Sequence, residues 1–374
     1  MFKKVALGVS GGVDSAVAAY LLKRAGFEVE GVFMRNWDNT YEAGFCSDER
    51  DLEDATYVCR KLEIPLHKVH FIKEYWNEVF SELLREYQAG LTPNPDILCN
   101  RYIKFDSFFE HCRNNLNVDA IATGHYANTS FGPFLQHYKE TEGVRLLQPA
   151  DRHKDQTFFL SQVKQFSLRR CMFPLAALRK DQVREIAQRE GLLNVAYKKD
   201  STGICFIGKK KFQHFIDEYI EPKRGLLIDI DSGEIVGEHS GLHHWTVGQR
   251  CRLSDYRQAY FVLQKDLLTN NIYVVAGTDH RALWSDLCIS GPPHWMLEEP
   301  SPLQRGAVLS CLFRFQHTKG LVPCRVSAFP DGLTLLLAHP LRALTPGQYA
   351  VLYRDGECLG SAKLTGIFQS LLYQ

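Results

Sequence analysis

Along the first third of the chain, apolar residues fall in short clusters whose spacing alternates between strand and helix. Residues 4–9 form an apolar run with β-branched content, followed by a glycine-rich loop. The spacing then predicts a helix over 16–25, closed by Gly26 as a C-terminal cap. Residues 28–34 read as a second strand, and 51–62 carry Leu52, Ala55, Val58, Cys59 and Leu62 at helical spacing. A strand over 66–71, a helix over 74–87 and a buried strand over 119–124 follow. Strands alternating with helices predict an α/β fold with a parallel sheet covered on both faces. Ligands bind such sheets at the carboxyl ends of the strands, where the glycine loop and Gly124 fall.

Near Glu221 the pattern changes to short apolar runs broken by Gly, Pro and Asp. Residues 226–230 precede Asp231-Ser232-Gly233, 272–276 form a second run, and 333–337 follow Pro330-Asp331-Gly332. This predicts β structure with tight turns: a small central β-rich domain and a C-terminal β-barrel. The expected division is 1–221, 222–283 and 284–374. No repeat or low-complexity segment interrupts it.

Composition narrows the class. At 374 residues, 45% hydrophobic and 23% charged, the chain is an ordinary multidomain globular sequence. It lacks an apolar run of the roughly 18 residues a membrane span needs, so no membrane partner is expected. Eleven scattered cysteines suit a reducing compartment better than a disulfide framework. None forms C-x-x-C, and no metal site is expected from them. The net charge of +1 hides an uneven distribution: −5 over 1–130, +7 over 131–224 and −1 over 225–374. The basic middle segment is either a solvated helical face or a track for a polyanion.

Two stretches carry candidate chemistry. Gly8-Val9-Ser10-Gly11-Gly12-Val13-Asp14-Ser15 joins the first strand to the first helix. Paired glycines let backbone N–H groups converge on phosphate oxygens, and a helix N-terminus behind them favours an anion. The loop is neither a Walker A motif nor G-x-G-x-x-G, and a purely structural turn stays open. In Thr92-Pro93-Asn94-Pro95-Asp96-Ile97-Leu98-Cys99-Asn100, two prolines predict a rigid extended loop. It would present Asp96 and Cys99 as a carboxylate beside a nucleophile, although Asp-x-x-Cys alone is common.

Ser10-Gly11-Gly12-Val13-Asp14-Ser15 resembles the S-G-G-x-D-S loop of the ATP pyrophosphatase superfamily. Further matches follow in order: Pro93-Asn94-Pro95-Asp96 with Cys99-Asn100, Ala122-Thr123-Gly124-His125-Tyr126, Lys154-Asp155-Gln156-Thr157-Phe158-Phe159, Ser201-Thr202-Gly203-Ile204-Cys205-Phe206, Thr246-Val247-Gly248-Gln249-Arg250 and Thr345-Pro346-Gly347-Gln348. Together they resemble the tRNA-specific 2-thiouridylases over almost the whole chain. His294-Trp295, Glu298-Glu299-Pro300 and Leu312-Phe313-Arg314-Phe315 look like the animal mitochondrial branch.

The resemblance implies ATP-dependent thiolation of the wobble uridine of tRNA, through adenylation of the 2-carbonyl oxygen and sulfur transfer from a cysteine persulfide. It implies that Gly8, Val9, Ser10, Gly11, Gly12, Val13, Asp14, Ser15, Met34 and Gly124 hold ATP, with Mg2+ as the nucleotide complex. Cys205 would carry the persulfide, Cys99 would close a transient disulfide with it, and Asp96 would act as acid or base. Asn94, Pro95 and Asp96 would meet the target base. His125, Lys154, Asp155, Gln156, Arg314, Phe315 and Gln348 would meet the tRNA. Phe315 stands where bacterial members often have tyrosine, so stacking rather than a hydroxyl contact is expected there. Cys251-Arg252 replaces the lysine-glycine of the Gln249-Arg250 motif. The expected partners are tRNA and a persulfide donor, a cysteine desulfurase or relay protein, with the chain a monomer. Mitochondrial placement follows from the branch alone, since only nine residues precede Ser10; the cytoplasm is the alternative. An amidating synthetase of the same superfamily, acting on a small molecule, is the competing reading.

Overall fold

The computed structural model describes residues 2–37, 47–199, 212–253 and 256–369. Among these residues three sheets form, in chain order. The first is parallel, with strands ordered Leu66–His70, Glu28–Arg35, Lys4–Gly8, Ala120–Ala122 and Cys171–Met172. Val5, Ala6 and Leu7 in its centre are fully buried, as expected of a strand covered on both faces. Chain order reverses on either side of Lys4–Gly8, which opens a crevice at the carboxyl ends of Lys4–Gly8 and Ala120–Ala122.

The first helix is Val13–Arg24, three residues longer at its start than the spacing predicts. Gly12 caps it, so the glycine loop runs directly into the helix with no intervening turn. Ala16, Val17, Ala18, Ala19 and Leu22 are fully buried, and their small side chains let the helix lie close to the sheet. Lys23 and Arg24 complement the negative end of the dipole in its last turn, and Gly26 has φ +86°. The helix expected over 74–87 is Ile72–Tyr75, a wider π turn Trp76–Phe80 and Ser81–Gln88 in succession. The π turn brings Trp76 and Phe80 together with Trp37 and Tyr219.

The expected extended loop around Cys99 is not extended. Pro95–Leu98 is a short helix, and Cys99–Ser107 continues it as a π helix. Pro95 occupies the helix's first turn, where its missing N–H would be unpaired anyway and its fixed φ suits the helix. Proline here starts a helix instead of preventing one.

The second sheet runs Arg250–Cys251, Tyr260–Asp266, Asn271–Ala276, Gly225–Asp229 and Ile235–His239, antiparallel except between Asn271–Ala276 and Gly225–Asp229. The third closes on itself. Trp284–Ser290, Gly332–Arg342, Val322–Phe329, Leu309–Arg314, Tyr349–Arg354 and Glu357–Phe368 pair in turn, and the last returns to the first. Its core includes Phe313, Val326, Leu335 and Leu352, each fully buried. The barrel is also joined to the first domain: Glu357 and Cys358 pair with Leu147 and Leu146. Among the described residues no helix is long and apolar enough to cross a membrane.

Candidate active site

The glycine loop is held open by its own serines. Ser15 Oγ accepts from Ser10 N at 3.1 Å, lies 3.2 Å from Ser10 Oγ and donates to Gly12 O at 3.1 Å. Gly11 has φ +69°, and a Cβ there would lie 2.2 Å from the Asp51 carbonyl oxygen. A Cβ on Gly124 would lie 2.8 Å from Ser15 N, so this glycine lets the end of Ala120–Ala122 approach the helix start. Met34 Cε is the atom that a Cβ on Gly8 would meet, at 3.2 Å. Gly12 offers no side-chain cap to Val13–Arg24, which leaves the first helical N–H groups for an anion.

Two lysines converge on this loop. Lys180 Nζ donates to both Asp14 oxygens at 2.8 Å, and the Tyr126 hydroxyl donates to Asp14 Oδ1 at 2.9 Å. Lys198 Nζ donates to Gly11 O at 3.0 Å and pairs with Asp51 and Asp54. Burial alone would lower the Lys198 pKa, but the two carboxylates overcome it and hold the amine above its ordinary value. Both lysines belong to the basic middle segment. They balance carboxylates of the acidic first segment, as Lys164 does with Asp106 at 2.8 Å.

Asp96 and Cys99 are three residues apart, on one face of the helical run. Cys99 is buried, while Asp96 reaches the surface with protein packed around its carboxyl. That environment raises its pKa above the usual carboxylate value, and Lys104 pulls it partly back. His125 lies beside the same lysine. Burial, then Lys104, pushes it down to about 3, so it is neutral at physiological pH and donates or accepts hydrogen bonds without carrying charge. Its Nδ1 is 2.9 Å from Thr123 Oγ1. Asn100 Oδ1 and Thr92 Oγ1 are buried without hydrogen-bond partners among the described residues, a pattern met where a ligand completes a site.

The barrel grips this region from behind. Gln348 Nε2 donates to Thr92 O at 2.8 Å and Pro93 O at 3.2 Å, and its Oε1 accepts from Asn94 Nδ2 at 3.3 Å. Thr92 N donates to Pro346 O at 3.1 Å. Arg314 Nη1 donates to Asp155 Oδ2 at 3.2 Å, with both side chains buried. Asp155 also accepts from Thr157 and from Gln148 Nε2. Gln156 Oε1 accepts from Tyr126 N at 2.8 Å, which ties this motif to the residue that holds Asp14.

In this structure, then, Asp155 and Arg314 face protein, and Phe315 stacks on Phe313 inside the barrel at 3% exposure. Stacking of a base on Phe315 has no open ring face here, because the residue, just past the strand Leu309–Arg314, packs into the barrel core. Asn94, Asp96, His125, Lys154, Gln156 and Gln348 are the expected contact residues that retain exposure, whereas Pro95 is buried. Cys205 lies outside the described residues.

Residues 3–209 match a family model described as tRNA methyl transferase HUP domain. Residues 213–276 match one described as tRNA methyl transferase PRC-barrel domain, and 285–364 an Aminomethyltransferase beta-barrel domain. The chain is 54% identical over 366 residues to Mitochondrial tRNA-specific 2-thiouridylase 1 of Drosophila melanogaster, covering 97% of this chain and 94% of that protein. It is 46% identical over 379 residues to the Homo sapiens protein of that name, covering 97% and 90%. It is 42% identical to tRNA-specific 2-thiouridylase MnmA of Mycoplasma capricolum, covering 99% of this chain and all of that one. The chain belongs to the tRNA-specific 2-thiouridylase family.

Within this 2-thiouridylase, Lys180, Lys198 and Lys104 are site residues that the sequence pattern did not single out. Each stands among other basic residues, and nothing local separates a lysine aimed at Asp14 from one in water. Asn100 and Tyr126 were visible as parts of motifs, but their bonding was not.

Proposed function

We propose that the chain is an ATP-dependent tRNA-uridine 2-sulfurtransferase that thiolates the wobble uridine, working in mitochondria as a monomer. Near full-length identity to relatives named as mitochondrial tRNA-specific 2-thiouridylases carries this reading. The methyl transferase wording attaches to segment models, whereas the named relatives match the chain from end to end. We take 1–221 as the catalytic domain, 222–283 as the central domain and 284–374 as the barrel domain.

ATP as co-substrate fits the uncapped helix start at Gly12, the close approach at Gly124 and the lysines beside the loop. The cradle comprises Gly8, Val9, Ser10, Gly11, Gly12, Val13, Asp14 and Ser15, with Met34 and Gly124 flanking it. Both Asp14 oxygens are engaged by Lys180, so Mg2+ enters as the nucleotide complex rather than through a protein cage.

The uridine 2-oxygen attacks the α-phosphorus and pyrophosphate leaves, while Asp96 takes the ring proton. The terminal sulfur of a Cys205 persulfide then adds at C2, and AMP departs with the oxygen. The Cys99 thiolate attacks Cys205 Sγ, forming the Cys99–Cys205 disulfide; the electron pair of the broken S–S bond stays on the sulfur at C2. A dithiol reductant restores both thiols, and a cysteine desulfurase or relay protein reloads Cys205. Asn94, Pro95 and Asp96 meet the base, and His125 and Lys154 meet the tRNA. Asp155, Gln156, Arg314, Phe315 and Gln348 support that surface from within, consistent with the burial or internal bonding of their side chains.

The test is incubation with ATP, Mg2+, a persulfide donor and tRNA, with 2-thiouridine scored by mass spectrometry. The wild type is expected to thiolate, and Cys99→Ser and Cys205→Ser are expected to lose turnover. Full thiolation by both variants would overturn the mechanism.

A further inference from the structure

We propose that Asp217, His243 and His244 form a binding site for a divalent transition ion of the zinc class, clamping the end of the catalytic domain to the central sheet. Asp217 directly follows the helix Phe212–Ile216, and the two histidines lie in the turn Leu242–His244 after the strand Ile235–His239. His243 Nε2 is 2.8 Å and His244 Nε2 2.6 Å from the same oxygen, Asp217 Oδ1. One ligand atom from each residue lies within 4.8 Å of the other two. Two imidazoles with one carboxylate is a donor set for zinc, cobalt or nickel and a poor one for magnesium or calcium.

The set is enclosed by protein, and its hydrogen-bonded ligand atoms spread apart to admit an ion. The histidine side chains are only 5% and 7% exposed, and their ring centroids are 4.2 Å apart. His243 packs on Gly241, where a Cβ would come within 2.6 Å of its Cε1. His244 Nδ1 is 3.1 Å from Ser240 Oγ, an outer partner that fixes the ring with Nε2 directed inward. Without an ion, each Nε2–H donates to Asp217. Metal entry needs each imidazole proton on Nδ1 instead, a tautomer change that leaves both rings neutral. The carboxylate, at 28% exposure, leaves one side open for a water as fourth ligand. Asp217 follows Cys205 by twelve residues, so an ion here would anchor the chain just after the proposed persulfide cysteine.

The full chain, stripped with a chelator, is titrated with Zn2+ and with Co2+. One equivalent should bind. The cobalt form should show visible d–d absorption without a sulfur-to-cobalt charge-transfer band, which separates this site from the cysteines. The double variant His243→Gln/His244→Gln should weaken binding more than roughly tenfold, the scale of losing a metal-site partner. Asp217→Asn, which keeps the side-chain volume and an acceptor, should do the same and guards against misfolding of the double variant. Binding within tenfold of wild type in a folded variant, or a thiolate charge-transfer band, would overturn the proposal.

Discussion

Single atoms decide several properties of the glycine loop. Gly26 and Gly11 both have positive φ, but a Cβ on Gly26 meets nothing within 4 Å, while one on Gly11 would lie 2.2 Å from a backbone oxygen. Gly26→Ala should therefore cost about 1 kcal/mol of stability with ATP affinity unchanged. Gly11→Ala should reduce ATP affinity by at least about tenfold, because the loop backbone must move; equal ATP affinity by calorimetry would contradict the cradle. Asp96 gives a second prediction at this scale. Acting as a base, it must be ionised, so activity should fall on the acid side through a pKa above the usual carboxylate value. Lys104 lowers that pKa, so Lys104→Met should move the acid limb to higher pH. Asp96→Asn should remove the limb and about 10²–10⁴ of the rate. A limb unmoved by Lys104→Met would show that another group titrates there.

At the level of elements, strands and helices were legible wherever one physical cue dominated. A short apolar run marked Lys4–Gly8, apolar runs bounded by Gly, Pro and Asp marked the β domains, and Gly26 marked a helix end. Pro95 misled because the same residue that bars a helix interior favours its first turn. Gln348, Arg314 and Asp155 were found by motif, but the Arg314–Asp155 and Gln348–Thr92 bonds span 159 and 256 positions and leave no local trace. The Arg314–Asp155 pair joins barrel to catalytic domain and is nearly dry, so Arg314→Met alone leaves a buried carboxylate without its counter-ion. It should destabilise by about 3–5 kcal/mol, and adding Asp155→Asn should recover part of the loss. Thermal unfolding of the wild type and both variants checks this; a double variant no better than Arg314→Met would mean the pair is not the main bond between those elements. Gln348→Leu should lower turnover more than it lowers the melting temperature, since it loosens Thr92 to Asn94 without opening the core.

Across the whole molecule, the central sheet and the barrel meet the segment 89–92 of the catalytic domain around a cavity of about 650 Å³. It is lined by Leu91 and Thr92 from the catalytic domain, Lys265 from the central sheet, and Thr345 and Thr365 from the barrel. Lys265 Nζ has no hydrogen-bond partner among the described residues, and burial pushes its amine down to about 8, against an ordinary 10.5. In the unfolded chain the amine is an ordinary lysine. Between pH 8 and 10.5 the unfolded state therefore binds more protons than the folded one, so stability rises with pH through that window. Below pH 8 the buried amine is charged in both states and the desolvation cost is felt in full. Lys265→Met removes the charge and keeps most of the apolar stem. At pH 7 it should raise the melting temperature, on the order of 2 °C for each kcal/mol relieved. The gain should shrink as pH approaches 10.5, because the wild-type amine is then neutral in the fold without cost. Scanning fluorimetry of both proteins at matched pH reads the difference directly. A gain that stays constant with pH would assign it to better packing in the cavity, and a loss at pH 7 would mean that the amine has found an acceptor and is held as a charge at the junction of the three domains.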